Sequence, residues 1–197
     1  MDRSTTGREG SFTRAVASWR AGAALMVLLG GCGGGGTSAP STTVDQGGCA
    51  MTESGVPNEG WTHVAEGSEV TYRHNPPASG PHYPVWLRYQ SYTSAMARPY
   101  WVHNLEHGAI VLLHRPDAPP AVVSALGDAF RSLPADPQCG HPRALLTPDP
   151  LLARAVTAVA ADFVLEGDCV SGDAIRRFTT THRNHGPEDI CDSGTRP

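Results

Sequence analysis

"WVHNLEHGAIVLLHR" (Trp101–Arg115) sets His103, Glu106 and His107 immediately before an apolar run that ends at His114. The run Ala109–Arg115 is nearly continuous in branched apolar residues and has the length of a strand, so it is the expected central strand of a sheet. The hexapeptide before it, His103–Gly108, decides more. On a helix, His103, Glu106 and His107 stand at i, i+3 and i+4 and share one face, whereas on a strand Glu106 points away from both histidines. Gly108 is the residue that ends a helix in the left-handed conformation. The expectation is a short helix, a glycine stop and a buried strand, with three ligand-type side chains presented together.

Downstream, "APPAVVSALGDAFRSLP" predicts a helix opened by Pro119 and Pro120, with Val122, Leu126, Phe130 and Leu133 on one face and Pro134 as its stop. "RALLTPDP" predicts a short strand, and the β-branched content of "ARAVTAVAADFVLEGD" favours strand over helix. "SGDAIRRFTTTHRNHG" predicts a final helix capped by Ser171 or Asp173 and stopped by Gly186. Upstream, "SEVTYRH" (Ser68–His74) alternates and predicts a strand. In "NPPASGPHYP", Pro76, Pro77, Pro81 and Pro84 exclude ladder and helix and predict a fixed loop. The elements together imply a single α+β domain: a mostly antiparallel sheet with helices packed on one face, clipped by disulfides.

The N-terminal residues read as an address. Arg14 and Arg20 precede the short apolar segment "AGAALMVLLGGC", which is an export signal in pattern and too short to span a membrane. Leu29–Cys32, "LGGC", resembles a bacterial lipobox. Residues 1–31 are therefore expected to be a lipoprotein signal peptide, with Cys32 lipidated and holding the chain to a membrane at the cell envelope, periplasmic or at the cell surface. Gly33–Gly48 is glycine-, serine- and threonine-rich and predicts a flexible linker, so that 32–48 is tether and 49–197 is the globular domain.

Cys49, Cys139, Cys169 and Cys191 remain after Cys32, an even number in an exported chain, and so predict two disulfides. Cys49–Cys191 with Cys139–Cys169 is the favoured pairing. A zinc site built from the four is disfavoured because no two of them lie at the close spacing such sites use. A net charge of −4, with no basic patch, argues against nucleic acid as a partner.

The candidate site gathers His82 from the proline loop with His103 and His107, and His74 and Glu106 as a fourth ligand or an outer partner. Neutral imidazoles suit copper(II) or zinc. The letters His-x-x-Glu-His also match an inverted zinc-protease signature. Gly108 follows at once, however, where those enzymes continue a long helix, so the match carries little weight.

"NPPASGPHYP", "VHNLEHGAIVLLHRP" and "FTTTHRNHGPED" resemble the signature of a bacterial family catalogued as domain of unknown function 3105. Its members carry Asn-Pro-Pro-x-Ser-Gly-Pro-His before an aromatic residue, a His-Asn-x-Glu-His-Gly block leading into a strand, and a late Arg-Asn-x-x-Pro-Glu. The resemblance covers roughly Tyr72–Glu188. It implies that His74, His82, His103, Glu106, His107 and the later Glu188 belong together, and it implies no activity. Some members are exported or membrane-anchored, in keeping with the lipobox. It does not account for the cysteines.

Three functions follow in order. The first is a lipid-anchored, extracytoplasmic protein with a histidine-based transition-metal site. The second is a metal-dependent hydrolase in which Glu106 acts as the base on a metal-bound water. The third is a non-catalytic interaction domain offering Trp86, Tyr89, Tyr92 and Trp101 to a protein or glycan partner.

Overall fold

A computed structural model describes residues 42–46 and 48–196, the first five by their backbone course alone. The signal-peptide and lipidation expectations for 1–31 and Cys32 lie outside the described residues. Among the described residues six strands form one sheet: β1 (Thr42–Gln46), β2 (Cys49–Gly55), β3 (Ile110–His114), β4 (Ala144–Pro148), β5 (Val156–Ala160) and β6 (Phe163–Gly167), in the spatial order β1-β2-β6-β5-β3-β4. Every pairing is antiparallel except β3 with β4. Among the described residues three helices, α1 (Arg98–Glu106), α2 (Pro120–Arg131) and α3 (Gly172–His182), complete the α+β domain.

β3 lies between β5 and β4, as its unbroken apolar run requires, and Ile110 through Leu113 are fully buried. Its alternate residues feed two cores. Ile110 and Leu112 pack with Leu126 of α2 and with Ile175 and Phe178 of α3. Val111 and Leu113 pack on the other side with Trp101, Val102 and Leu105 of α1 and with Leu87 and Ala78 of the preceding loop. α2 and α3 thus share one face as expected, while α1 covers the other. The reason is composition: α1 is buried on nearly all sides, Trp101 through Glu106 included, and needs the proline loop as well as the sheet to enclose it.

α1 opens with Pro99 in its first turn and ends at Gly108, φ 75°. The Gly108 N–H donates to the Leu105 carbonyl at 2.9 Å, and the Ala109 N–H to the Asn104 carbonyl at 3.0 Å. This is the paired closure that a left-handed glycine permits, and it turns the chain directly into β3.

Four local expectations are corrected. "SEVTYRH" is not a strand. The Arg73 and His74 N–H groups donate to the Glu59 carboxylate in place of a neighbouring strand, and the Tyr72 hydroxyl donates to the Pro81 carbonyl at 2.8 Å. Part of the expected linker is sheet: Thr42–Gln46 adds to β2, whose outer edge offers an unpaired ladder to β-branched residues. α3 is capped by Ser171, whose Oγ accepts from the Ala174 N–H. It ends at His182, and Asn184 takes the left-handed conformation (φ 65°) expected of Gly186. The disulfides are Cys49–Cys169 and Cys139–Cys191, the other way round from the favoured pairing. β2 pairs with β6, which brings Cys49 beside the chain just after β6. The segment after α3 runs back past Cys139.

Residues 56–97 contain no named helix or strand, only isolated bridges, yet they are tightly fixed. Pro76 to Gly80 are buried, and the Asn75–Pro76 peptide is cis. The Asn104 side chain clasps Leu87, accepting from its N–H at 3.1 Å and donating to its carbonyl at 2.8 Å. The Asp162 N–H, at the β5–β6 turn, donates to the Ala78 carbonyl at 2.9 Å. A long loop held this firmly is a scaffold for side chains.

Candidate metal centre

His103 and Glu106 on α1, and His107 just past its last residue, are buried polar side chains beside the loop. His103, Glu106 and His107 are each 5 % exposed or less, so each needs partners. The loop supplies them. His82, fully buried, places Nε2 2.9 Å from Glu106 Oε2. His63 lies beside His82 through a parallel bridge, in which the Val64 N–H donates to the His82 carbonyl and the His82 N–H to the Thr62 carbonyl. That bridge sets His63 Nε2 3.4 Å from the same oxygen. His103 Nε2 stands 3.7 Å from it, one helical turn away.

The outer nitrogens fix what the inner ones are. His82 Nδ1 lies 2.9 Å from the Gly80 carbonyl and His103 Nδ1 2.5 Å from the Tyr83 carbonyl. A carbonyl only accepts, so each Nδ1 carries the proton. In the neutral rings each Nε2 is then a lone pair turned inward. Burial, above all, pushes the His103 pKa down to about 4, with the neighbouring histidines adding to the shift and the Tyr83 carbonyl opposing it. His103 is therefore neutral at ordinary pH.

Lone pairs converging on a carboxylate oxygen repel one another unless a proton or a cation lies among them. Donor atoms around a tetrahedral ion with bonds of about 2.0–2.1 Å stand about 3.3–3.4 Å apart. The three nitrogen-to-oxygen distances at Glu106, 2.9, 3.4 and 3.7 Å, bracket that edge. One donor atom from each of His63, His82, His103 and Glu106 lies within 4.8 Å of every other, and the cluster can hold a metal ion.

His107 stands next to this set. Its Nε2 is 3.1 Å from His103 Nε2 and 3.2 Å from Glu188 Oε2. Burial, the largest effect, lowers its pKa, opposed by Glu188 and Glu106. Glu188 arrives on the segment after α3, whose Asn184 N–H donates to Gly108 and whose Glu188 N–H donates to the Glu106 carbonyl. Gly186 passes so close to the Glu106 and Leu105 carbonyls that a Cβ there would collide with them. Buried Arg143 locks the same segment. It donates to Asp189, to the Ile190 and His107 carbonyls and to Asp136, and Cys139–Cys191 ties the chain just beyond.

His82, His103, Glu106 and His107 are thus brought together. His74 is not: its Nδ1 lies 2.9 Å from Glu59, at the outer side of the loop. His114 sits at the far end of β3, against the Arg115 carbonyl. The sequence does not single out His63, because "GWTHVAEG" has neither a spacing nor a periodicity that separates it from any surface histidine; the bridge to His82 places it at the cluster. Of the aromatics, Trp101 is fully buried and Tyr92 nearly so. Trp86 packs its ring on His103 and His107 with centroids 4.9 and 4.5 Å away.

A family model described as "Protein of unknown function (DUF3105)" matches residues 63–193, 131 of the 197 residues. The chain belongs to the DUF3105 family. The match begins at His63 and takes in His82, His103, Glu106, His107 and Glu188, so the whole cluster lies inside the DUF3105 region. No curated protein and no solved structure matches the chain. Among the described residues no helix is long and apolar enough to cross a membrane. The two disulfides suggest an oxidising, extracytoplasmic location.

Proposed function

We propose that this DUF3105 protein is an exported, lipid-anchored metal-binding protein, tethered through Cys32, that holds a transition-metal ion between His63, His82, His103 and Glu106. One observation carries the reading: three imidazole nitrogens, two of them with their outer N–H committed to backbone carbonyls, converge on one carboxylate oxygen. A backbone carbonyl behind a ligating histidine fixes its tautomer and its aim. Three imidazoles and a carboxylate suit zinc or copper(II). The described cysteines are all bridged, so they offer no thiolate for copper(I).

The position of Glu106 Oε2 among the nitrogens supports a ligand in place of a general base, and binding in place of hydrolysis. The test is metal content and zinc titration of tag-free protein. Wild type should bind zinc stoichiometrically, and His82→Ala, which removes a buried ligand, should lose it. Equal affinity in both would overturn the reading. For the anchor, Cys32→Ser should release the protein from membranes or block its maturation. A variant that is still processed and membrane-bound would refute the lipid attachment.

A further inference from the structure

We infer that the centre takes two divalent ions, with Glu106 as a shared ligand and His107 and Glu188 holding the second. The inference rests on the metal reading above and goes beyond it in the second ion and its ligands. Donor atoms of Glu106, His107 and Glu188 also lie within 4.8 Å of one another, a group that shares only Glu106 with the first. His107 Nε2 and Glu188 Oε2 are 3.2 Å apart, again near the edge expected between two ligands of one ion. His103 Nε2 and His107 Nε2, 3.1 Å apart, would then belong to neighbouring ions, as donors do across a pair of metals about 3.5–4 Å apart.

The fold builds this second group deliberately. Glu188 is half exposed (side chain 49 %), and an exposed glutamate needs no such anchoring to stay soluble. Its backbone is nevertheless held to the carbonyl of Glu106 itself, and the next residues are held by Arg143 and the Cys139–Cys191 bridge. The carboxylate is thereby kept against His107. The two groups also differ in chemistry. The first is imidazole-rich and the second is carboxylate-rich, so the second ion should be the weaker zinc site and the more accepting of manganese. His63, with 51 % of its side chain exposed, and Glu188 are the exposed members of the two groups, one on each.

Native mass spectrometry of tag-free protein titrated with Zn(II) tests this directly, with Glu188→Ala as the companion variant. Two ions per chain in wild type and one in Glu188→Ala are expected. One ion in wild type overturns the second site and leaves the single-ion function standing. Two ions in Glu188→Ala also overturn it, since the second would then be held elsewhere. No ion in wild type removes this inference together with the reading beneath it. Circular dichroism and a melting curve check that Glu188→Ala is folded. If it is not, His107→Gln, which keeps side-chain bulk, is scored by the same counts.

Discussion

Glu106 Oε2 lies 2.9 Å from Nε2 of His82, while the other nitrogen of that ring is committed to the Gly80 carbonyl. With that imidazole neutral, Nε2 and the carboxylate oxygen are both acceptors, and the contact becomes favourable with a proton or a cation between them.

Glu106→Gln separates these possibilities. A glutamine amide can donate to the His82 lone pair, so in chelator-treated protein the variant should melt no lower than wild type. Its zinc affinity should fall by more than the roughly 10–100-fold that outer partners of a metal site are worth. Thermal melts with chelator and a zinc competition titration check both. A lower melting temperature with unchanged affinity would make Glu106 a structural partner of His82.

Acid should loosen the clamp behind Glu188. Burial pushes the Asp136 carboxyl up. The Gln138 N–H, the Asn184 side chain and the Arg143 guanidinium outweigh it and hold the group below the usual carboxylate range. A carboxyl lowered on folding contributes stability above about pH 4 that is lost as pH falls through its folded value. Urea unfolding between pH 5 and 2 should show that loss, shallower in Asp136→Asn. Arg143→Met should cost roughly 3–5 kcal/mol at neutral pH by leaving Asp136 charged and unpaired. A variant as stable as wild type would contradict the account of this pair.

Peptide mapping of the oxidised protein should recover Cys49–Cys169 and Cys139–Cys191 and neither alternative pairing. Removing Cys139 and Cys191 together should cost roughly 2–4 kcal/mol and weaken metal binding at His107 and Glu188. Recovery of Cys49 linked to Cys191 would refute the path drawn here for the C-terminal segment.

Gly108→Ala should destabilise the domain by roughly 1–3 kcal/mol. It puts a side chain at φ 75° and a Cβ 2.6 Å from Asn184 Cα, where α1 meets the segment that carries Glu188. Chemical denaturation measures it. Unchanged stability would mean that this junction yields more readily than its packing suggests.

The sequence is legible where one local rule governs. His103, Glu106 and His107 suggest a helix face because Gly108 offers a left-handed stop, and the branched apolar run after it has the length of a buried strand. α2 follows from its prolines and its apolar stripe. Where long-range contacts decide, local pattern misleads. Val70 and Tyr72 alternate like a strand, but the Glu59 carboxylate takes the backbone donors a ladder would need. Four cysteines announce two bridges, but only the β2–β6 pairing assigns them. His74, beside the proline loop, looks like a ligand and is claimed by Glu59. His63, with no motif of its own, reaches the cluster through a backbone bridge to His82.

The central claim is most directly tested by anomalous scattering at the zinc absorption edge from a crystal of the tag-free domain grown with Zn(II). The account predicts a peak within about 2.0–2.2 Å of Nε2 of His63, His82 and His103 and of Oε2 of Glu106. Peaks confined to surface histidines, or none within reach of these four atoms, would contradict it.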